Sequence, residues 1–552
     1  MSDHEETGLL RPKSNMKSSL SQVVLLSCVC FCVPGMWNSI TSMAGGIEDT
    51  AAASLAIAYL YGCFAVFSLI APIVNNTLGS RVTLFLGTLG YLLYVASLWA
   101  YPLTGPTFVV VSGAVNGVGA ALLWTAQGTL IMSYPSKETK GIYLSYFWII
   151  FNLGAVMGGL LTFALNFDKK PGEPETAASS STFAVFFFLM ACGSAGCLLL
   201  VSPDRVVRPD GTVVQSAGDE KERLSLASVG AEVLGMLSLF RQPRMLALAP
   251  LFIYSNWFYS YQFSCFNATL FTVRTQGLNN AFYWGAQMVG AFFLGKYLDD
   301  SRRPLRQRAV HSIAACGAIV AVSWIAGIYV QYAYRIDDRK CTGDSPAEWC
   351  SSKDILAAKR LPAQDVEPLD VGDFGPVVAP GLVYLLFGLC DAFVQCWSYW
   401  LLGNLDDSSS ALSRSAGFYK GLQSAGGAVS WSLSSGKVRP SVQLFVRPPA
   451  HRTGLRYPHL LPPPPPHPTL RTPRFRLTGE RWALCGLLPP GRSARLALRR
   501  ARAESKRPQE RQAVDRLHVS LDRRCARSHT NQQQHSPRHV CQIVFFLFLY
   551  KL

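Results

Sequence analysis

Long apolar segments fill the first 436 residues of the chain, and they restrict its fold more than any other feature of the sequence. A helix that crosses a bilayer needs about 20 mainly apolar residues. Charged residues lie in short clusters between the segments, so each segment has the composition of one span. We predict an all-α, multi-pass membrane protein in the lipid bilayer, with spans numbered 1 to 11 at residues 20–42, 52–74, 82–101, 107–133, 141–165, 182–202, 245–269, 280–298, 309–332, 378–402 and 413–436.

The composition changes abruptly after residue 436. Residues 437–552 contain 23 of the 51 Lys and Arg residues but only 5 of the 34 Asp and Glu residues, so the rest of the chain has 28 basic and 29 acidic residues. The formal net charge of +17 therefore belongs to this tail and does not indicate a nucleic-acid partner. The tail is rich in Arg and Pro and has no apolar periodicity, so we interpret it as disordered or as a gene-model artefact.

The spacing of the spans divides the chain into five parts. These are an N-terminal tail (1–19), a six-helix bundle (20–202), an inter-bundle loop (203–244), a five-helix bundle (245–436) and the basic tail (437–552). Six spans, a long loop and five spans predict a six-plus-six bundle that lacks its twelfth helix.

Positive charge near the span ends predicts the orientation, because Lys and Arg accumulate in cytoplasmic loops. Such residues cluster at the N-terminus and in the loops after spans 4, 6 and 8, all on one side: Arg11, Lys13, Lys17, Lys137, Lys140, Arg205, Arg208, Lys221, Arg223, Arg302, Arg303, Arg306 and Arg308. We therefore expect the N-terminus and the loop 203–244 to be cytoplasmic.

Several short motifs carry a family resemblance across residues 20–436. They are Gly35-Met-Trp-Asn38 with Gly45-Gly46, Tyr254-Ser-Asn-Trp-Phe-Tyr-Ser-Tyr-Gln262, Arg274 with Leu278-Asn-Asn280, Asp391-Ala-Phe-Val-Gln395 with Tyr399-Trp400, and Gly417-Phe-Tyr-Lys-Gly-Leu-Gln-Ser-Ala425. With these motifs the chain resembles the Unc-93-like branch of the major facilitator superfamily.

This resemblance implies a major facilitator bundle whose halves rock around a site at the midplane. Major facilitators are secondary transporters, whereas some Unc-93-like proteins are thought to act as trafficking chaperones or channel regulators. The loop between spans 2 and 3, Asn75-Asn-Thr-Leu-Gly79-Ser-Arg81, lacks the acidic residue of the usual superfamily signature. That departure favours the regulator.

Asp391 lies about midway along span 10, where an ionisable side chain is costly and marks a candidate functional site. Gln395 and Tyr399 follow at i+4 and i+8, so helical spacing predicts that the three share one face. One interpretation is that Asp391 exchanges a proton during transport. The alternative is a structural Asp bonded to span 11 through Lys420 or Gln423.

Amide side chains at membrane depth form a second candidate set, because they can bond a neutral polar solute. They are Asn38 in span 1, Asn116 and Gln127 in span 4, Asn152 in span 5, and Asn256 and Gln262 in span 7. The alternative is that each amide joins two helices, a contribution of about 0.6–2 kcal/mol.

Two motifs lie outside the spans. Cys341 and Cys350 are close in sequence on the predicted outer or lumenal side, where an oxidising compartment favours a disulfide. Near the N-terminus, Glu5 with Leu9 and Leu10 resembles an acidic dileucine sorting signal for endosomes or the vacuole, and the alternative is a solvated tail.

The loops contain no phosphate loop, nucleophile elbow, dinucleotide fingerprint or metal-ligand spacing, so we predict a non-enzyme without metal or cofactor. Two functions remain. The first is a secondary transporter of a small solute, with proton coupling through Asp391, in the plasma membrane or an endosomal or vacuolar membrane. The second is a membrane adaptor that binds another membrane protein or ion channel.

Overall fold

The computed structural model describes residues 16–42, 50–168, 180–208, 210–214, 226–342, 347, 349–434 and 438–445. Within these ranges a helix occupies each of the eleven predicted spans, which confirms the prediction of an all-α, multi-pass membrane bundle. The domain bounds derived from the sequence remain predictions, and most of the basic tail lies outside the described residues.

The observed helices extend the predicted spans by a few residues at several ends. In chain order the spans are Ser19–Cys30 with Phe31–Gly35 and Met36–Ser42; Thr50–Phe67 with Ala71–Leu78; Ser80–Trp99; Pro106–Ser133; Lys140–Leu165; Ser180–Gly196; Pro243–Trp257 with Tyr261–Asn267 and Ala268–Leu270; Val273–Leu298; Leu305–Ala333; Phe374–Leu405; and Ser409–Ser434.

Six of these helices are individually long and apolar enough to cross a membrane, and a seventh crossing is the pair Leu55–Phe67 and Ala71–Leu78, bent by 60° in span 2. The other four spans are shorter, broken or more polar. Span 7 is interrupted after Trp257, and span 11 carries Lys420 at its middle. Their crossing is therefore inferred from their place in the bundle as well as from apolarity.

Helix packing repeats with a period of six spans. In the first half, span 1 packs on span 5, and spans 2 and 3 both pack on span 4. In the second half, span 7 packs on span 11, and spans 8 and 9 both pack on span 10. The halves meet where span 5 contacts span 8 and span 2 contacts span 11, and a shift of six spans converts one of these pairs into the other. The two halves are thus related internal repeats.

Span 6 has no counterpart in the second half among the described residues. It packs on spans 1 and 3, and by the repeat a twelfth span would pack on spans 7 and 9. In the most apolar stretch of span 3, 56% of the residues are buried, against 22% in span 9. Span 9 therefore exposes a wider face than its counterpart.

Spans 1 and 7 occupy equivalent positions and both depart from regular α-helix. Phe31–Gly35, which contains Pro34, and Tyr261–Asn267 each form a π-helical turn. A π-turn inserts a residue into the helix and is frequent at functional sites. In span 7 it follows Tyr259, whose side chain belongs to the site described below.

Several helices outside the spans were not expected from the sequence, among them Ser352–Lys359 in the loop between spans 9 and 10. The inter-bundle loop contains the central helix, Leu226–Leu239, which packs beside spans 2 and 11. At the start of the tail, Pro440–Phe445 forms a short helix, where Ser441 donates its backbone N–H to Asp337 at 3.0 Å. The beginning of the tail thus contacts the loop after span 9.

Candidate functional site

Asp391 is fully buried in span 10 and accepts hydrogen bonds at both carboxylate oxygens. Oδ2 accepts from the Tyr259 hydroxyl at 2.7 Å, from the Gln287 amide at 2.8 Å and from the Tyr283 hydroxyl at 3.3 Å. Oδ1 accepts from the Gln395 amide at 2.6 Å. Donors from spans 7, 8 and 10 therefore replace water around a charge that would otherwise be very costly in the membrane.

Gln287 carries this network from the second half of the bundle into the first. Its Oε1 accepts from the indole N–H of Trp148 at 3.0 Å and from the amide of Asn152 at 3.4 Å, both in span 5. Its Nε2 donates to Asp391. One amide thus joins the buried carboxylate to the opposite half.

Lys420 lies close by in span 11 and is 3% exposed. Its Nζ donates to Gln423 Oε1 at 2.6 Å and to Gln395 Oε1 at 3.4 Å. Three aromatic rings surround the same nitrogen, with centroid distances of 4.6 Å to Trp124, 5.2 Å to Tyr399 and 5.0 Å to Tyr419. These contacts are cation–π interactions, and Trp124 contributes from the first half.

Eight of the predicted site residues form one cluster that contains Asp391 and Lys420. Gln262 accepts from Tyr283 at 3.1 Å, and the Tyr399 hydroxyl donates to Gln127 Oε1 at 3.2 Å. The predicted members of this cluster are Asp391, Gln395, Tyr399, Lys420, Gln423, Gln127, Asn152 and Gln262.

Three predicted amides lie elsewhere in the spans. Asn116 packs against Gly90 of span 3, and both polar atoms of its buried side chain have no hydrogen-bond partner. Asn256 is buried in span 7, and Asn38 is half-buried in span 1. A structural role in helix packing remains the alternative for this group.

Sequence reasoning missed Gln287, Tyr259, Tyr283 and Trp148. Gln287 had a usable signal, because an amide within a span is rare enough to single out. Tyr259 lies within the motif that ends at Gln262, whereas Tyr283 and Trp148 had no signal, since aromatic residues in spans usually serve packing.

Spans 5 and 8 are joined tightly at the end that we predict to be cytoplasmic. Asp299, directly after span 8, accepts the backbone N–H groups of Gly141 and Ile142 at 2.7 Å each, at the start of span 5. Burial raises the pKa of Asp299 to about 6. The hydroxyl of Ser145 also donates to the carbonyl of Ala291 at 2.6 Å.

At the same end, the central helix joins spans 2 and 11. Glu232 accepts from the Asn76 amide at 2.8 Å and from the Arg414 guanidinium at 2.9 Å. Asn76 belongs to the stretch between spans 2 and 3 in which the sequence shows no acidic residue. The carboxylate at this contact is therefore contributed by the central helix.

At the opposite end, Arg274 links the halves. Its guanidinium binds Asp370 and also donates to the carbonyl oxygen of Phe167, in the loop after span 5. Asp370 further accepts from Thr272 at 2.6 Å. The hydrogen bond from Arg274 is the main reason that the pKa of Asp370 falls to about 2.

Cys341 and Cys350 form a disulfide in the loop between spans 9 and 10. The proposed sorting residues Glu5, Leu9 and Leu10 lie outside the described residues.

Two solved structures have a similar arrangement of helices at low sequence identity. One is a Major Facilitator Superfamily transporter, FucP, in the outward conformation, with a TM-score of 0.49, 12% identity, and coverage of 77% of this chain and 96% of FucP. The other is the xylose transporter XylE from E. coli, with a TM-score of 0.47, 12% identity, and coverage of 77% and 95%.

Sequence comparison gives closer relationships. The family model described as "Ion channel regulatory protein UNC-93" matches residues 44–331. UNC93-like protein 1 of Arabidopsis thaliana is 37% identical over 445 residues, which cover 80% of this chain and 89% of that protein. UNC93-like protein C922.05c of Schizosaccharomyces pombe is 35% identical over 425 residues, which cover 76% and 77%. The resemblance inferred from the motifs is confirmed, and the chain belongs to the UNC-93 family.

Proposed function

We propose that this protein is a secondary transporter that moves a small polar solute by alternating access, with Asp391 as its proton-coupling site. The observation that carries the proposal is the position of the buried carboxylate. Asp391 is bound by donors from three spans of one half and, through Gln287, is connected to Trp148 and Asn152 of the other.

Such a connection offers a physical means of coupling. A hydrogen bond to an ionised group contributes about 1.5–3 kcal/mol, against about 0.5–1.5 kcal/mol for a neutral pair. Protonation of Asp391 would convert its bonds from Tyr259, Tyr283, Gln287 and Gln395 from the first kind to the second. The hydrogen bond from Gln287 to Asp391 would weaken, and the connection through Gln287 to the first half would weaken with it.

The contacts at the two ends of the bundle fit a closed intermediate. Asp299 and Glu232 join the halves at one end, and Arg274 joins them at the other. Alternating access requires that these contacts break in turn. We place the end with Asp299 in the cytoplasm, together with the N-terminus, and expect the plasma membrane or an endosomal or vacuolar membrane.

The test is transport by the purified full chain in proteoliposomes with an imposed pH gradient, screened against a panel of small polar solutes. We expect one or more solutes to accumulate in wild-type vesicles. Asp391→Asn should abolish gradient-driven accumulation while keeping solute exchange, because the amide retains the shape of the site without a titratable group. The matched control, Asp338→Asn, alters an exposed loop carboxylate and should behave as wild type.

Wild-type vesicles that accumulate no solute of the panel would overturn the transport proposal. Undiminished accumulation by Asp391→Asn would instead overturn the role of Asp391 and leave transport standing.

A membrane adaptor is the second candidate function, and the outer face of span 9 favours it. Val322, Ile325, Tyr329 and Tyr332 of this span are 57–67% exposed. Apolar and aromatic residues on such a wide face can pack against a span of another protein. The family description, an ion channel regulatory protein, is consistent with a partner of that kind.

The adaptor is tested by the size of the complex in gently solubilised native membranes. It predicts a species larger than the monomer that Ile325→Trp disrupts. Val66→Trp is the control, since Val66 is 60% exposed on span 2. A complex equally sensitive to both variants, or a monomer throughout, would contradict it.

A further inference from the structure

We infer that Lys420 is the anchor for an anionic solute, so that the transported substrate is a small organic monoanion such as a monocarboxylate. This inference rests on the proposed transport function and specifies its substrate class. It is drawn from the geometry around Lys420, a buried lysine with no carboxylate of the described residues in contact.

The acceptors of Lys420 are both neutral. Its ammonium group donates to the amide oxygens of Gln423 and Gln395. Among the residues that the structure describes, none places a carboxylate oxygen within 4.0 Å of this nitrogen. A buried ammonium is stabilised far better by an anion than by amides, so the site is suited to receive one.

Asp391 does not take that place, although it is the nearest buried acid in the cluster. Its two oxygens already accept four donors, and Gln395 lies between it and Lys420. The Gln395 amide donates to the carboxylate while its oxygen accepts from the ammonium. Asp391 and Lys420 are therefore bridged by one amide and do not form a direct ion pair.

A buried donor with no partner among the described residues is linked to Lys420 through Tyr399. Gln127 is fully buried; its Oε1 accepts from the Tyr399 hydroxyl, while its Nε2 has no hydrogen-bond partner. The ring of Tyr399 also contacts Lys420. An unpaired buried N–H is costly, and an oxygen of a bound carboxylate would satisfy it.

The two donors come from opposite halves, Gln127 from span 4 and Lys420 from span 11. An anion held between them would contact both halves at once, as a transported solute must. Trp124 adds an aromatic wall next to the ammonium, which suits a ligand with a flat or apolar body. One cation at the site indicates a single negative charge, and it disfavours organic cations.

Intrinsic fluorescence tests this inference, because Trp124 lies beside the expected anion. The purified full chain is titrated with sodium pyruvate, sodium lactate and sodium gluconate, and in parallel with xylitol as a neutral polyol and choline chloride as a cation. We expect a saturable fluorescence change and a raised melting temperature with at least one monocarboxylate, and neither response with xylitol or choline.

Lys420→Gln should weaken the monocarboxylate response at least tenfold, and Lys420→Arg should restore most of it. The matched control is Lys137→Gln, which removes an exposed lysine paired with Asp407. Circular dichroism and gel filtration establish that each variant is folded. If Lys420→Gln is unfolded, Gln127→Leu replaces it and should also weaken the response.

A response of equal size to xylitol or choline, no response to any of the three carboxylates, or an undiminished response in folded Lys420→Gln would overturn the inference. Its failure is distinguishable from failure of the transport proposal. Neutral solutes carried into vesicles would support transport and contradict the anion site, whereas carboxylate binding without transport would do the reverse.

Discussion

The contact between spans 5 and 8 predicts that a single methyl group will shift the bundle between its conformations. A Cβ atom at Gly295 would lie 2.5 Å from the carbonyl oxygen of Gly141, with the Ser145 hydroxyl closer still. Ordinary contact begins at 3.4 Å, so the two helices would have to separate by about 0.9 Å. The closed contact at this end has no room for Gly295→Ala.

The size of the effect follows from the strain. Overpacking of this kind costs about 1–3 kcal/mol. Separation of the halves relieves it, so Gly295→Ala should shift the equilibrium toward states open at this end by about 5- to 150-fold. Gly285→Ala in the same span is the matched control, because no atom lies within 4 Å of the added Cβ.

The assay measures access to the space between the halves at this end. Met132 is buried there and lines a small cavity with Lys140, Tyr399 and Gly403. A cysteine at position 132 is labelled with N-ethylmaleimide in membranes, and the rate is read by mass spectrometry of its peptide. Gly295→Ala should accelerate labelling strongly and Gly285→Ala should not. Equal rates in folded protein would refute the reasoning that this contact closes the bundle.

Three further perturbations have defined outcomes. The half-buried Asp299 carboxyl has a pKa of about 6, against 3.8 for an ordinary Asp, so its contribution to stability falls as the pH rises between these values. Melting from about pH 4 to 7.5 should therefore show a larger loss of stability for wild type than for Asp299→Asn, and parallel curves would contradict this. The pKa of Asp370 is depressed to about 2, so its pairing with Arg274 stabilises the fold above about pH 4, and this stabilisation is lost as the pH falls toward 2. A double-mutant cycle of Asp370 and Arg274 at pH 7 should give a coupling energy of about 0.5–3 kcal/mol. Additive effects of the two mutations would show that the pair contributes nothing. Glu232→Gln weakens the hydrogen bonds of the central helix to Asn76 and Arg414, so amide hydrogen exchange in this helix should accelerate about tenfold. An unchanged exchange rate would mean that other contacts hold the helix in place.

The sequence was sufficient to locate the helices of the spans, because each contains a long apolar run. Even span 11, which carries Lys420, was found from its apolar flanks. The π-turns in spans 1 and 7 were not predicted, since an inserted residue changes the register of a helix without changing its composition. The central helix was missed because its apolar stretch, Val229–Leu239, is too short to cross a bilayer.

The site was predictable only within single helices. The spacing of Asp391 and Gln395 predicted one face, and the two side chains bond at 2.6 Å. The bond between Gln287 and Trp148 joins residues 139 positions apart, and no local pattern encodes such a pairing. Partners across the two halves depend on how the halves dock, which requires the structure.

The two contacts between the halves at the predicted cytoplasmic end are equivalent by the internal repeat, yet they obtain their carboxylates differently. For spans 5 and 8 the acid is Asp299, which is covalently continuous with span 8 and caps span 5 directly. For spans 2 and 11 the acid is Glu232 of the central helix, which bonds both spans but is covalently continuous with neither. An acid in the helix connection moves with its span, whereas Glu232 can leave together with its helix. Under the proposed alternating access, opening at spans 2 and 11 would therefore require the central helix to move, whereas opening at spans 5 and 8 would not. The stretch around Asn76 has no acid of its own, and the carboxylate at this contact comes from a separate segment of the chain.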